Sequence, residues 1–366
     1  MNPKMTETKS PSAGFSLRFM NQRGIIYATV SVWFTLMFSG PLPEAAALPT
    51  ADEILQELHL SDSDRKRVRQ GEIVNWSASE GSDRELAIGV AFLVKSKPPK
   101  VLEMFHEAAA YKSMGVITAH GQISGDGTLA DFALVKLEPN GEKEARRYLE
   151  AEPGDDLNLD AKEMAAFVAL KSTGKNGAVP VAEVETLIRQ TLLSRYQAYR
   201  NKGLAGITPY ERTDGHHLLA SDELSLSLKE LKLLAKYLPS VYDTLVNYPT
   251  AKIKEGKQIE EQFLWLNIDM FGRPLYVLSH RTLFQVGEAY VVVDRHYYTS
   301  HDYNSMLQGT VVLPSADGLL IIYIGRVSTG QVAGWKSAAL HPVSRTLMSP
   351  YIKDMFEALR AEAKKQ

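Results

Sequence analysis

Residues Leu319–Val327 read L-L-I-I-Y-I-G-R-V, an apolar run of strand length that is rich in β-branched side chains. Four similar runs precede it and predict strands over Glu261–Ile268, Leu275–Leu283, Ala289–Tyr298 and Leu307–Leu313. Turn residues separate the runs, most clearly at residues 271–274 and 314–318. Because strands joined by short turns pair antiparallel, the last third of the chain predicts an antiparallel meander.

One long helix is predicted after the meander. Its apolar stripe has helical spacing and consists of Leu347, Met348, Tyr351, Ile352, Met355, Phe356 and Leu359. Before the meander, residues 140–250 predict mainly helices, namely Ala161–Leu170, a second that ends at Gly203, and a third that Ser221 caps and that runs to Leu245. The first part of the chain predicts strands at Glu72–Trp76 and Leu86–Val94, a helix at Lys100–Tyr111, and a hairpin of Val116–Ile123 with Leu129–Leu137.

The N-terminal region contains a different kind of apolar run, Ile25–Gly40. Basic residues precede it, and Ala45-Ala46-Ala47 follows it as a small-residue processing site. This pattern predicts a signal peptide over residues 1–47 with cleavage after Ala47, and therefore a periplasmic or secreted protein. An uncleaved membrane anchor is the alternative, although about 16 apolar residues fall short of the roughly 20 that span a bilayer.

Composition narrows the classes of function. The chain has 366 residues, a formal net charge of −2 and no cysteine. The charge does not favour a nucleic-acid partner, and the lack of cysteine excludes disulfides, thiol catalysis and cysteine-ligated zinc. The sequence has no G-x-S-x-G, H-E-x-x-H, P-loop or G-x-G-x-x-G motif, so we expect no cofactor, no metal site and no assignable catalytic residue.

The order of elements resembles the START-like, polyketide-cyclase-like superfamily. The resembling pieces are Leu86–Val90 through Pro98–Leu102, the strand Gly318–Val327, and the terminal helix. The resemblance implies an α+β helix-grip fold, in which a curved antiparallel sheet grips a long C-terminal helix and leaves a cavity between them. Here a helical insertion at about residues 140–250 would interrupt a single domain, residues 48–366.

A second resemblance is to a poorly described group of exported bacterial proteins. It rests on Leu60-Ser61 through Gly71–Val74, on Glu152–Asp156 through Leu159, and on Tyr323–Val327. This likeness supports the expected compartment and implies no chemistry.

The implied cavity suggests a ligand site. Strand periodicity places Ile322, Ile324 and Arg326 on one face of their strand, and places His296 and Tyr298 together on a neighbouring strand. If these residues face the cavity, Arg326 could bind an acidic or phosphorylated head group while aliphatic side chains hold the tail. The alternative for Arg326 is an ion pair with a carboxylate of the helical insertion.

We therefore expect a non-enzymatic exported protein that binds a hydrophobic small molecule or lipid, with peripheral or no membrane contact. One alternative is an exported hydrolytic or metal-assisted enzyme that uses the region His280–His301. That region is rich in polar groups, which are His280, Arg281, Asp294, Arg295, His296, His301 and Asp302. The other alternative is an interaction module that binds an envelope protein and has no pocket.

Overall fold

The computed structural model of the chain describes residues 48–106, 116–173, 178–334 and 337–364. These residues belong to one structural unit that begins at Leu48. The expected signal peptide, residues 1–47, lies outside the described residues.

An eight-stranded antiparallel sheet organises the fold. In chain order its strands are β1 (Val74–Ser77), β2 (Glu85–Val94), β3 (Ile117–Gln122), β6 (Lys257–Met270), β7 (Arg273–Val286), β8 (Ala289–Thr299), β9 (Ser305–Ser315) and β10 (Gly318–Ser328). Their spatial order is β1-β2-β10-β9-β8-β7-β6-β3. The meander β6 to β10 confirms the five predicted strands. Of the three earlier strands, β2 and β1 extend the meander at β10, and β3 pairs with β6 at the other edge. A separate two-stranded ribbon joins β4 (Tyr210–Glu211) to β5 (His217–Leu218).

Helices cover both faces of the sheet. They are α1 (Ala51–Glu57), α2 (Asp62–Arg69), α3 (Pro98–His106), α4 (Gly141–Leu149), α5 (Ala161–Ala169), α6 (Val181–Lys202), α7 (Ala220–Lys229), α8 (Lys232–Tyr237), α9 (Pro239–Val246) and α10 (Ser337–Lys364). Within the described ranges, none of them combines the length and the apolar character needed to cross a membrane. The class is α+β, as the sequence predicts.

Alternation along β10 separates the two faces. Ile321 and Tyr323 belong to the core beneath α10, a surface we call the α10 face. Ile322 and Leu320 belong to the core beneath α1 and α2, on the opposite side. The helical insertion, α4 to α9, covers this second side along β6 to β9, so we call it the insertion face.

The C-terminal helix is anchored on the α10 face by Phe356. The Phe356 ring is 1% exposed and lies 5.5 Å from the Phe92 ring and 5.0 Å from the Tyr323 ring, between centroids. Ile352, one turn earlier, packs on the same core. The other side chains of the predicted stripe lie outside the described residues.

The predicted strand at Leu129–Leu137 is wrong. Leu129–Phe132 forms one 3-10 turn and the chain to Leu137 is irregular, while Val116–Ile123 pairs with β6 instead. Asp131 accounts for the turn, because its carboxylate accepts hydrogen bonds from the backbone and hydroxyl of Thr128. Its carbonyl also accepts a bond from the Trp265 indole at 2.7 Å.

The predicted helix from Ser221 to Leu245 is also wrong as a single element. The chain forms three short helices, α7 to α9, with breaks at Leu231 and Leu238. Pro239 explains the second break, because proline lacks an amide hydrogen and disfavours a helical residue before it. The N-cap of α7 is Leu219, so Ser221 lies within the first turn.

Candidate functional site

A pocket of about 670 Å³ lies on the insertion face, over the half of the sheet that contains β1, β10, β9 and β8. Its floor is largely aliphatic and is formed by Ile322, Ile324 and Arg326 of β10, Gly309, Val311 and Leu313 of β9, and Val291 and Val293 of β8. Its roof comes from α1, from the segment around α8, and from Leu48 and Pro49.

Gly89 makes room for the Trp76 indole, which lines this pocket, and Gly309 leaves part of the floor open. On β2, the residues paired with Arg326, Ile324 and Ile322 are Ala87, Gly89 and Ala91, which therefore share their face. The Trp76 indole lies against Gly89, where a Cβ atom would come within 2.2 Å of its ring. On β9, a Cβ atom added to Gly309 would meet no heavy atom within 4 Å, so the space above Gly309 is open.

Polar contacts at the pocket's edge connect the two helices of the roof, α1 and α8. The Glu57 carboxylate of α1 accepts hydrogen bonds from the ammonium group of Lys236 and from the hydroxyl group of Tyr237, both on α8. These bonds lower the pKa of the Glu57 carboxyl, with Lys236 making the larger contribution. The contacts link α1 to α8 across the apolar floor.

Arg326 is paired inside the protein, although not with the helical insertion. Its Nη1 donates to the Glu85 carboxylate at 2.9 Å and to the Ser79 carbonyl at 2.8 Å. Glu85 lies on β2, is 1% exposed, and also accepts from the Gly81 amide and from the Ser227 hydroxyl of α7. The insertion thus contributes the Ser227 hydroxyl, which binds Glu85, while the carboxylate that neutralises Arg326 comes from strand β2 of the sheet.

Three of the five expected ligand residues line the pocket, namely Arg326, Ile322 and Ile324. The expectation that His296 and Tyr298 share a face is wrong. Leu278 pairs with Tyr298 but the next residue, Ser279, pairs with His296, so Tyr297 is an extra residue in β8. A bulge of this kind shifts the alternation by one and sends the two side chains to opposite faces.

Neither His296 nor Tyr298 belongs to the lining of this pocket. Tyr298 packs in the insertion core, where the Arg195 guanidinium lies 4.3 Å from its ring centroid. His296 faces the other way and its Nδ1 lies 2.8 Å from the Tyr303 hydroxyl. Both side chains are therefore parts of buried contacts within the protein.

The pocket's position also differs from the expected one. The sequence resemblance places a cavity between the sheet and the C-terminal helix, whereas this pocket lies on the insertion face, and none of its lining residues that the structure describes belongs to α10. The α10 face beneath Phe356 is filled by large side chains such as Phe92 and Tyr323. The pocket forms on the insertion face because small residues such as Gly309 leave space there, whereas large side chains fill the α10 face.

The polar residues of His280–His301 are divided between the two faces. His280 and Arg295 point into the insertion face, where Arg295 Nη2 lies 2.8 Å from His280 Nδ1. Because arginine only donates, Nδ1 accepts, and the proton on Nε2 is donated to Glu261 at 2.9 Å. Burial, reinforced by the Arg295 cation, lowers the pKa of His280 to about 4, so the ring is neutral at pH 7.

The α10 face holds a second group of these residues. Arg281 donates to the Asp294 carboxylate at 2.9 Å, and the same carboxylate accepts from the Ser279 hydroxyl. Burial lowers the pKa of neighbouring His296. His301 lies apart, with its ring nitrogens 2.6 Å from the Asp302 carboxylate and 3.0 Å from the Pro274 carbonyl.

The structure therefore does not bring the expected enzyme residues into one site. Within the described residues, no three histidine or carboxylate side chains are placed to hold a metal ion. Sequence spacing along the strand cannot reveal this division, because the sheet itself separates residues that are adjacent in the chain.

A titratable group that the sequence analysis missed is Glu223 of α7. Its side chain is buried and its Oε1 accepts from Asn304 at 3.0 Å, while Oε2 has no hydrogen-bond partner among the described residues. Burial raises the pKa of Glu223 to about 7. Such a shift is typical of functional sites and also of buried structural carboxylates.

Glu223→Gln should stabilise the protein at alkaline pH. Below pH 4.5 the carboxyl is protonated in both states and contributes nothing. Between pH 4.5 and 7 the unfolded chain loses the proton that the folded chain keeps, so wild-type stability falls as pH rises. We expect the variant to gain up to about 3 kcal/mol over the wild type at pH 8 and little at pH 4.5.

Urea unfolding of both proteins from pH 4.5 to 8 measures this difference. Asn304 can still donate to the amide oxygen of the glutamine, so the bond at 3.0 Å is retained in the variant. A difference in stability that does not change with pH would show that Glu223 ionises normally.

Comparisons with known proteins provide no relative. No protein-family model matches the chain, and neither a curated protein nor a solved structure matches it. The resemblance to the START-like superfamily thus stays a prediction from the sequence pattern. What the chain does is inferred from the chemistry of its own pocket.

Proposed function

We propose that this chain is an exported protein that binds a hydrophobic small molecule or lipid in the pocket on the insertion face. The observation that carries the proposal is a pocket of about 670 Å³ whose floor is largely aliphatic. Small-molecule sites have volumes of about 300–1,000 Å³ and are lined in this way. The expectation of export rests on the N-terminal apolar run.

The arrangement of the floor supports binding over the alternatives. Gly309 occupies a position where a larger strand residue would fill part of the space beneath the roof, and the Trp76 indole, which lies over Gly89, forms part of the lining. A module that binds only through its surface has no need of such a space. The enzyme alternative needs convergent polar residues, whereas His280 and His296 lie on opposite faces of the sheet.

Gly309→Leu should abolish ligand binding without unfolding the protein. Because a Cβ atom at Gly309 enters open space, a leucine side chain can extend from there into the pocket. We expect wild-type protein to bind the uncharged dye N-phenyl-1-naphthylamine saturably, and we expect at least a tenfold weaker affinity in the variant. Fluorescence titration measures the affinity, and urea unfolding should show equal or higher stability.

Gly154→Leu is the matched control for this variant. A Cβ atom at Gly154 also meets nothing within 4 Å, and Gly154 is not part of the pocket lining. The control should bind the dye like the wild type. Absence of saturable binding by the wild type, or equal binding by Gly309→Leu, would contradict the proposal.

A further inference from the structure

The charged groups around the pocket form a balanced set. Besides the pair of Glu57 with Lys236 at the roof, Lys232 lies 3.0 Å from the Glu230 carboxylate, which also accepts from the Ser79 hydroxyl at 2.7 Å. Both pairs are part of the lining.

The third pair lies deeper. Arg326 contributes to the floor, and Glu85 holds its guanidinium at 2.9 Å with both side chains nearly inaccessible to solvent. The positive charge that could have attracted an acidic head group is therefore already neutralised inside the protein. Each lysine and arginine of the lining has a carboxylate within hydrogen-bonding distance.

An ionised ligand would add a charge that these paired groups do not neutralise. A carboxylate moved from water into an aliphatic pocket needs a cation to offset its lost hydration. Beside Arg326 it would meet the Glu85 carboxylate, a like charge that opposes ionisation. A cationic ligand meets the same difficulty, because Glu57 and Glu230 are already engaged by lysines.

We propose that the ligand is uncharged: an apolar molecule or neutral lipid whose polar end is a hydroxyl, ester or carbonyl oxygen. This inference rests on the proposed binding function. The buried Nε of Arg326 has no hydrogen-bond partner among the described residues. A neutral oxygen at this end of the pocket adds no charge next to Glu85.

Competition among three ligands of one chain length tests the proposal. The probes are 1-decanol, decanoate and decylammonium, titrated at pH 8 against bound N-phenyl-1-naphthylamine. Decanol is kept below its solubility limit and the two ions below their critical micelle concentrations. We expect decanol to displace the dye with at least a tenfold lower dissociation constant than either ion. Decanoate or decylammonium binding as tightly as decanol would overturn the inference and leave the binding function intact, whereas loss of all binding would refute both.

Glu57→Gln tests whether charge balance causes the selectivity. The variant leaves Lys236 without its carboxylate at the pocket's edge, so decanoate should bind at least threefold more tightly, a larger change than any in decanol binding. Glu72→Gln is the control for removing a carboxylate outside the lining: Glu72 lies 2.8 Å from Arg67, which keeps Asp64 at 3.0 Å. The same change in affinity for all three probes, or no change for decanoate, would contradict the inference.

Discussion

Replacing Phe356 by alanine should lower the free energy of unfolding by about 3–5 kcal/mol, the range for truncating a fully buried phenylalanine. The ring is 1% exposed and contacts Phe92 of β2 and Tyr323 of β10. Alanine would leave a cavity between α10 and two paired strands, where neither backbone can move in freely. Urea unfolding, followed by circular dichroism, measures the loss.

Val343→Ala on the same helix is the control. Val343 is 57% exposed, so its truncation should change stability by no more than about 0.5 kcal/mol. If Phe356→Ala and Val343→Ala had equal effects, Phe356 would not anchor the helix to the sheet.

Much of the sheet could be predicted because its information is local. Each strand from β6 to β10 has its own apolar run, and short turns determine the antiparallel order of the meander. The period of two along β10 also places Ile322, Ile324 and Arg326 on one face. A residue's neighbours in the chain suffice for these predictions.

Predicting the site requires information from residues that are far apart in the chain. The bulge at Tyr297 shows itself only in the pairing with β7, so counting residues along β8 places His296 and Tyr298 wrongly. Likewise, the partner of Arg326 is Glu85, which lies 241 positions earlier in the chain. Which face carries the pocket depends on Gly309 and on the Trp76 indole that Gly89 accommodates, and these effects appear only when strands and roof are assembled.

The helical insertion shows a further limit of prediction from sequence, which is that apolar spacing does not determine the backbone conformation. The apolar spacing from Leu224 to Leu245 suits a single helix, and Pro239 is the local signal that argues against it. At residues 129–137, the pattern of buried side chains such as Phe132 resembles that of a strand, although these side chains anchor an irregular segment. Apolar spacing predicts which residues are buried better than it predicts the backbone that buries them.

Arg326→Met should lower the free energy of unfolding by about 3–5 kcal/mol, because it leaves Glu85 as an unpaired charge in the interior. The methionine side chain has an aliphatic stem to pack against the floor, so most of the loss should come from Glu85. Combining Arg326→Met with Glu85→Gln removes both charges while the glutamine can still accept from the Gly81 amide. The double variant should therefore recover much of the stability that the single variant loses.

Urea unfolding of the wild type, both single variants and the double variant completes a double-mutant cycle. Its coupling energy measures the interaction between Arg326 and Glu85. The same cycle on Arg67 and Glu72, an exposed pair at 2.8 Å, provides the reference, with an expected coupling of about 0–1 kcal/mol. A coupling between Arg326 and Glu85 as small as this reference would mean that the two charges do not neutralise each other. Arg326 would then be free to bind an acidic ligand, and the preference for uncharged ligands would lose its physical cause.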